Sequence, residues 1–209
     1  MFGSNIKIKA TVSIVLSALF LGAVVFCYID CLGKCVEMTF LSNVTIGLLL
    51  LCAGVKLLIT NKDIPQFLYL DCAVLMASVM CACSIFAPEV CFVGSSVLLH
   101  IVTPVCMMSF FFLFCDATKC GKASIATSLV FPSLYYIFMI VYGRFADVSV
   151  YVYFDTNAVA LFKLVLVGLS AVVMLGVIAA VLLFCNRFMI SKFSRRAFAV
   201  IQTEKSNDK

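Results

Sequence analysis

Charge is scarce in this chain. Of its 209 residues only 12% are Asp, Glu, Lys or Arg, and histidine occurs once, as His100. A soluble domain carries about 25% charged residues and roughly half apolar ones, whereas here 65% are hydrophobic and the mean hydropathy is +1.20. A soluble fold is thereby excluded. A single histidine without a neighbouring carboxylate cannot assemble a three-ligand metal site, and neither a Cys-x-x-Cys pair nor a Cys/His zinc spacing occurs. No Gly-x-Ser-x-Gly elbow, P-loop or dinucleotide fingerprint appears either. Neither metal nor cofactor is expected.

What fills the chain is uncharged or nearly uncharged apolar sequence. A helix needs about 20 such residues to cross the hydrocarbon of a bilayer, and six stretches qualify: 10–29, 38–59, 67–87, 90–115, 123–142 and 158–185. The expected fold is all-α, a polytopic bundle of six transmembrane helices over residues 1–187 joined by short loops, with a basic cytoplasmic tail at 188–209. Loops this short make neighbouring helices antiparallel. The first run follows Lys7 and Lys9 as a signal peptide does, but it is too long for an h-region and lacks a small-x-small cleavage site, so it is expected to be retained.

Six crossings put both termini on one side. That side collects Lys7, Lys9, Lys62, Lys119, Lys122, Arg187, Lys192, Arg195, Arg196, Lys205 and Lys209, against Lys34 and Arg144 on the other. The bias places N and C termini in the cytoplasm, of a cell whose plasma membrane or endoplasmic reticulum holds the protein. The net charge of +5 then reports topology and implies no nucleic acid. In the tail, Phe188, Phe193 and Phe198 interleave with the basic residues, as in a segment lying on anionic lipid. Most of the 12 cysteines fall within spans, where a thiol acts as a small polarizable hydrophobe. Cys31, Cys35 and Cys91 are expected on the non-cytoplasmic face, where one bridge is permitted. Asn43-Val44-Thr45 matches a glycosylation acceptor, but it lies inside the second span, out of the transferase's reach.

Polar residues within the spans carry the remaining information. Lys56 and Asp71 lie about equally far from the turn at 61–65 and are expected to pair, and Lys163 is expected to snorkel outward. At the opposite end, Thr39, Ser42 and Asn43 on span two, His100 and Thr103 on span four, and Tyr135, Tyr136 and Tyr142 on span five are expected to converge on a pocket open to the outside. An ionisable residue at membrane depth is by default a functional candidate. Pro104 lacks an N–H, so the backbone around His100 loses a hydrogen bond where the imidazole projects. A hydroxyl beside a neutral imidazole is the minimum equipment for nucleophilic acyl transfer, which singles out Thr39 with His100. Ser42, Asn43, Thr103 and Tyr135 are then candidate donors to substrate or oxyanion. Counted from the membrane edge, His100 lies ~14 Å deeper than Thr39 at the helical rise, a mismatch that shrinks by a turn when the long fourth run begins outside the hydrocarbon.

Three stretches resemble one family in order and spacing: Thr39-Phe40-Leu41-Ser42-Asn43; Leu98-Leu99-His100-Ile101-Val102-Thr103-Pro104; and Phe131-Pro132-Ser133-Leu134-Tyr135 followed by Gly143-Arg144 and Tyr151-Val152-Tyr153-Phe154-Asp155. They are similar to the Thr-x-x-Ser-Asn or Thr-Phe-x-Asp, the Leu-x-His-x-x-x-Pro, and the Pro-x-x-Tyr, Gly and Tyr-Pro-Tyr-x-Phe elements of the androgen-induced-protein-like six-span family. That family includes membrane hydrolases of fatty acid esters of hydroxy fatty acids. The resemblance spans nearly the whole chain and implies a catalytic threonine at Thr39 and a catalytic histidine at His100. This chain departs from the family in having Val152 where a proline is often found, and from its animal hydrolases in placing His100 one residue nearer its proline. The function so implied is an intramembrane Thr/His hydrolase whose partners are a lipid ester and the bilayer itself. Two readings of other classes compete: a noncatalytic multi-pass organiser or receptor in which His100 is a core residue, and a small transporter with His100 in its pathway. Sequence does not specify the oligomeric state.

Overall fold

A computed structural model describes residues 6–30, 34–146 and 159–207. These form helices only: α1 (Ile6–Tyr28), α2 (Met38–Thr60), α3 (Gln66–Phe86), a short α4 (Pro88–Cys91), a π-helical turn (Leu98–Val102) leading into α5 (Thr103–Phe114), a 3-10 turn (Ala117–Lys119), α6 (Ala123–Ala146) and α7 (Leu161–Asn207). Five helices, α1, α2, α3, α6 and α7, are long and apolar enough to cross a membrane. Exposed Leu, Ile, Val and Phe cover their outer faces, the pattern of a bundle whose surface meets lipid. The protein is therefore an integral membrane protein.

The fourth apolar run departs from a single long helix. Gly94 takes a left-handed φ of 59°, the chain turns through 92–95, and the apolar helix that follows runs from Leu98 to Phe114. This shift brings His100 to the start of its helix. The last run also differs from expectation, since α7 continues past Cys185 to Asn207. At 1.5 Å per residue its 47 residues extend well beyond the about 30 Å of a hydrocarbon core, so residues 188–207 prolong the helix.

Packing is closest between α1 and α2. A Cβ on Gly54 would stand 3.0 Å from the backbone oxygen of Ala10, and one on Gly47 would stand 2.8 Å from Leu21 Cγ. Ala10, Ser13 and Ser17 face this seam and are buried. Small residues let helix backbones approach where no hydrophobic effect drives association. α2 ends at Asn61, which adopts a left-handed conformation (φ 54°) and donates its N–H to Leu57 O, a cap that Asn tolerates better than most residues.

The end of the bundle opposite Thr39 is held by charge. Lys9, read from sequence as a flanking cytoplasmic lysine, is only 3% exposed; its Nζ lies 2.6 Å from Asp63 Oδ2 and 4.3 Å from the Tyr69 ring centre. The expected pairing of Lys56 with Asp71 does not form. Lys56 is exposed, and Asp71 Oδ1 accepts the Thr127 hydroxyl at 3.0 Å. Equal distance from a turn set the two residues at one height, but helix rotation points them to different neighbours. Nearby, Asn186 Oδ1 accepts the Ala117 N–H and its Nδ2 donates to Phe111 O, while Arg187 donates to Ala117 O and Cys120 O. α7 thereby clamps the 115–120 turn.

Cys35 and Cys91 are free thiols, and Cys31 lies outside the described residues. The Tyr151–Asp155 stretch also lies outside them.

Candidate functional site

Thr39, the second residue of α2, is 7% exposed, and Ser42 and Asn43 beside it are fully buried. Facing them is the π turn. Its defining bond runs from the Thr103 N–H to Leu98 O, five residues back. In that register the carbonyl of Leu99 would take the N–H of residue 104, which proline lacks. The Thr103 hydroxyl fills the gap, its one hydrogen shared between Leu99 O at 3.1 Å and Asn43 Oδ1 at 2.8 Å. Pro104 thus explains both the widened turn and the hydroxyl that seals it.

The wide turn carries the His100 ring to Thr39. Thr39 Oγ1 and His100 Nε2 stand 3.3 Å apart, and His100 Nδ1 lies 3.0 Å from Ser96 O. A carbonyl oxygen can only accept, so the ring proton is assigned to Nδ1, and Nε2 presents its lone pair to the Thr39 hydroxyl. The O–H of Thr39 donates to Nε2. That bond is longer than the about 2.8 Å usual for hydroxyl donors; catalytic bonds of this kind tighten as charge develops.

The depth mismatch anticipated between the two residues is absent because the fourth helix begins at Leu98, not at Val90. Ser96, the residue that orients the imidazole, was missed by sequence reasoning. Its i, i+4 spacing from His100 was the available signal.

Asn43 is the tie between the two halves of the site. Its Nδ2 donates to Thr39 O at 2.8 Å while its Oδ1 accepts from Thr103. A carbonyl acceptor on one side and a hydroxyl donor on the other fix the amide's orientation. Ser42 Oγ also donates to Thr39 O, at 3.2 Å, so two side chains anchor the backbone of Thr39. Tyr135 donates its hydroxyl to Val36 O at 3.0 Å, holding the segment that leads into α2. The hydroxyl hydrogens of Ser42 and Thr103 are thus directed at protein oxygens. Asn43 keeps a second Nδ2 hydrogen for which the described residues supply no acceptor.

Apolar residues enclose this end. Tyr28 packs edge-on to Phe40 at 5.1 Å, and Ala23, Val24 and Leu99 complete the cluster. A recess of about 370 Å³ lined by Leu21, Val24, Val25, Tyr28, Ile29, Cys35, Phe40 and Val44 lies between α1 and α2; Phe40 adjoins Thr39 in the chain, though neither Thr39 nor His100 lines the recess. Just outside the helices, Glu37 accepts the Tyr28 hydroxyl at 2.9 Å. Burial pushes the Glu37 carboxyl above its ordinary pKa, a rise that the Tyr28 hydrogen bond and the Lys34 charge only partly oppose. Among the described residues no group of three His, Cys, Asp or Glu could hold a metal ion. A neutral imidazole taking the proton of a buried hydroxyl that is fixed at its backbone can serve one reaction class well, nucleophilic attack on an acyl carbon.

Compared with known proteins, the chain matches no family model, no curated protein and no solved structure.

Proposed function

We propose that this protein is a six-span hydrolase of the plasma membrane or endoplasmic reticulum, with both termini cytoplasmic, that cleaves lipid esters by way of Thr39 and His100. The observation that carries this reading is the 3.3 Å approach of Thr39 Oγ1 to the unprotonated Nε2 of His100, whose other nitrogen is occupied by Ser96 O. The resemblance of the flanking motifs to the androgen-induced-protein-like family supports it and directs attention to fatty acid esters of hydroxy fatty acids. The distribution of Lys and Arg among the loops supports the orientation, and the shorter apolar helix Leu98–Phe114, with the turn before it, is the proposed sixth crossing.

In this mechanism the substrate enters from the outer leaflet. Thr39 Oγ1 attacks the ester carbonyl carbon as its proton moves to His100 Nε2, and the carbonyl oxygen becomes an oxyanion. The free Nδ2 hydrogen of Asn43 is the donor on the Thr39 side left to meet that charge. The carbon–oxygen ester bond then breaks, and the departing alkoxide takes the proton from Nε2, leaving an acyl group on Thr39. Water gives a proton to Nε2 as it attacks the acyl carbon; the bond from that carbon to Thr39 Oγ1 then breaks, Oγ1 takes the proton back from Nε2, and the carboxylic acid leaves. Ser96 stabilises the imidazolium through its carbonyl, the part played by a carboxylate in other triads.

The test is covalent labelling of the full-length protein in nanodiscs with a fluorophosphonate, followed by peptide mapping. Modification at Thr39, blocked by excess of a branched fatty acid ester, is the expected result; labelling elsewhere, or none in active protein, overturns the assignment. One observation favours a noncatalytic organiser: the polar groups around Thr39 are joined to one another as interhelical ties would be. That reading predicts that His100→Ala lowers the thermal midpoint and changes no turnover.

A further inference from the structure

With Lys56 turned away, Asp71 is left as an unneutralised carboxylate on the wall of a cavity. The cavity, about 400 Å³, lies between α2, α3 and α6. Leu68, Asp71, Thr127 and Ser128 mark the end nearer the 61–65 turn, while Thr45, Pro132 and Leu134 mark the other. Between these ends its wall is apolar, formed by Leu75, Phe131, Ile46 and Leu49. Val130 and Leu134 are 54% and 62% exposed, so the cavity opens sideways, onto the surface that meets lipid.

Among the described residues no cation lies within ion-pair distance of Asp71. Its Oδ1 accepts from Thr127, and no described donor reaches Oδ2. A carboxylate in an apolar setting is costly unless a cation or further donors meet it. The cavity's shape and its lateral opening define what such a cation must be. It has to arrive dissolved in the bilayer, with a chain to follow the apolar wall.

We propose that this cavity is a binding site for a long-chain primary amine, its ammonium donating to Asp71 Oδ2 and its alkyl chain lying along Leu75, Phe131 and Ile46. Thr127 positions the carboxylate by holding Oδ1. The site rejects a free fatty acid by like charge, so it cannot be a product site for the hydrolysis proposed above. It stands independently of that reaction.

The probe is a diazirine-bearing octadecylamine, compared with a diazirine-bearing octadecanoic acid of equal length, in nanodiscs of phosphatidylcholine holding the full chain. The amine is expected to crosslink to peptides containing Val130 or Leu134, and unlabelled octadecylamine to compete. Asp71→Asn, which keeps an acceptor for Thr127, is expected to weaken binding about tenfold or more, the loss of one charge-assisted bond. Leu134→Trp, which leaves the charge and blocks the mouth, is expected to abolish crosslinking. Equal labelling by acid and amine, unchanged binding in Asp71→Asn, or unchanged crosslinking in Leu134→Trp would each overturn the proposal. If Asp71→Asn does not fold, the acid comparison and Leu134→Trp decide it.

Discussion

Two carboxylates flank the ends of α2, and each accepts a tyrosine hydroxyl: Glu37 from Tyr28 at 2.9 Å and Asp63 from Tyr69 at 2.8 Å. Burial pushes both carboxyls up. At Asp63 the Lys9 hydrogen bond and charge, with the donors on Tyr69 and Gln66, outweigh burial and hold the group below its ordinary value. At Glu37 the Tyr28 hydroxyl and Lys34 do not, and the group stays above it. The buried Lys9 ammonium at 2.6 Å leads the contributions that set the two groups apart. The Asp63 end is therefore built to keep charge and to hold the bundle together, whereas the Thr39 end is organised around neutral groups and a lone pair.

The largest effect expected from breaking this contrast is on turnover. Thr39→Ala and His100→Ala should each reduce hydrolysis of a branched fatty acid ester by about 10³-fold or more, while costing about 1 kcal/mol of stability for one lost hydrogen bond. Steady-state kinetics beside thermal unfolding separate the two, and activity retained by either variant would remove the enzymatic reading.

Lys9→Met inverts that pattern. It leaves Asp63 partly buried without its cation, and a loss of about 3 kcal/mol in stability is expected, read as a lowered thermal midpoint in detergent. The folded pKa of Asp63 lies below the unfolded one, so its stabilisation is present above the unfolded value and disappears as pH falls through the folded value. The midpoint of the wild-type protein should accordingly drop in acid below the ordinary carboxylate range. In Lys9→Met that acid-side dependence should shrink.

Gly54→Leu tests whether the α1–α2 seam joins the two ends. A side chain there meets the Ala10 carbonyl at 3.0 Å from Cβ, and backbone cannot step aside as a flexible side chain does. A loss of about 2 kcal/mol is expected, with a smaller loss at Gly47, where the obstacle is the side chain of Leu21.

The smallest effect is at Glu37. With its folded pKa raised, the contribution of this group to stability is greatest below the unfolded value and is lost as pH rises through the folded one. Glu37→Gln keeps an oxygen for Tyr28 and removes the charge. The midpoint at neutral pH should rise by about 2 °C or less, with no gain at pH 3; a fall at neutral pH would contradict the assigned direction.

Much of the helical layout could be read from the residues. Five of the expected runs coincide to within a few residues with long apolar helices at their N-terminal ends, since apolar length is what hydropathy measures. Thr39 and His100 were singled out by chemistry, one hydroxyl and one imidazole in an apolar chain, and they stand 3.3 Å apart. Where the reasoning failed, it lacked rotation. Lys56 and Asp71 agree in height and disagree in direction, and Lys9 looks like any flanking lysine until Tyr69 and Asp63 close over it. The proline at 104 announced an irregular backbone, but that Thr103 would repair it by reaching the Leu99 carbonyl depends on which turn widens.

By itself the sequence determined that this chain is helical and embedded in lipid, because hydrocarbon offers backbone groups no partner beyond those the chain supplies. It also determined which few side chains had chemistry to offer. Only the tertiary structure decided which of them meet, since partnership between helices depends on rotation about each axis and on where a broken helix restarts, and periodicity along one strand of sequence carries neither.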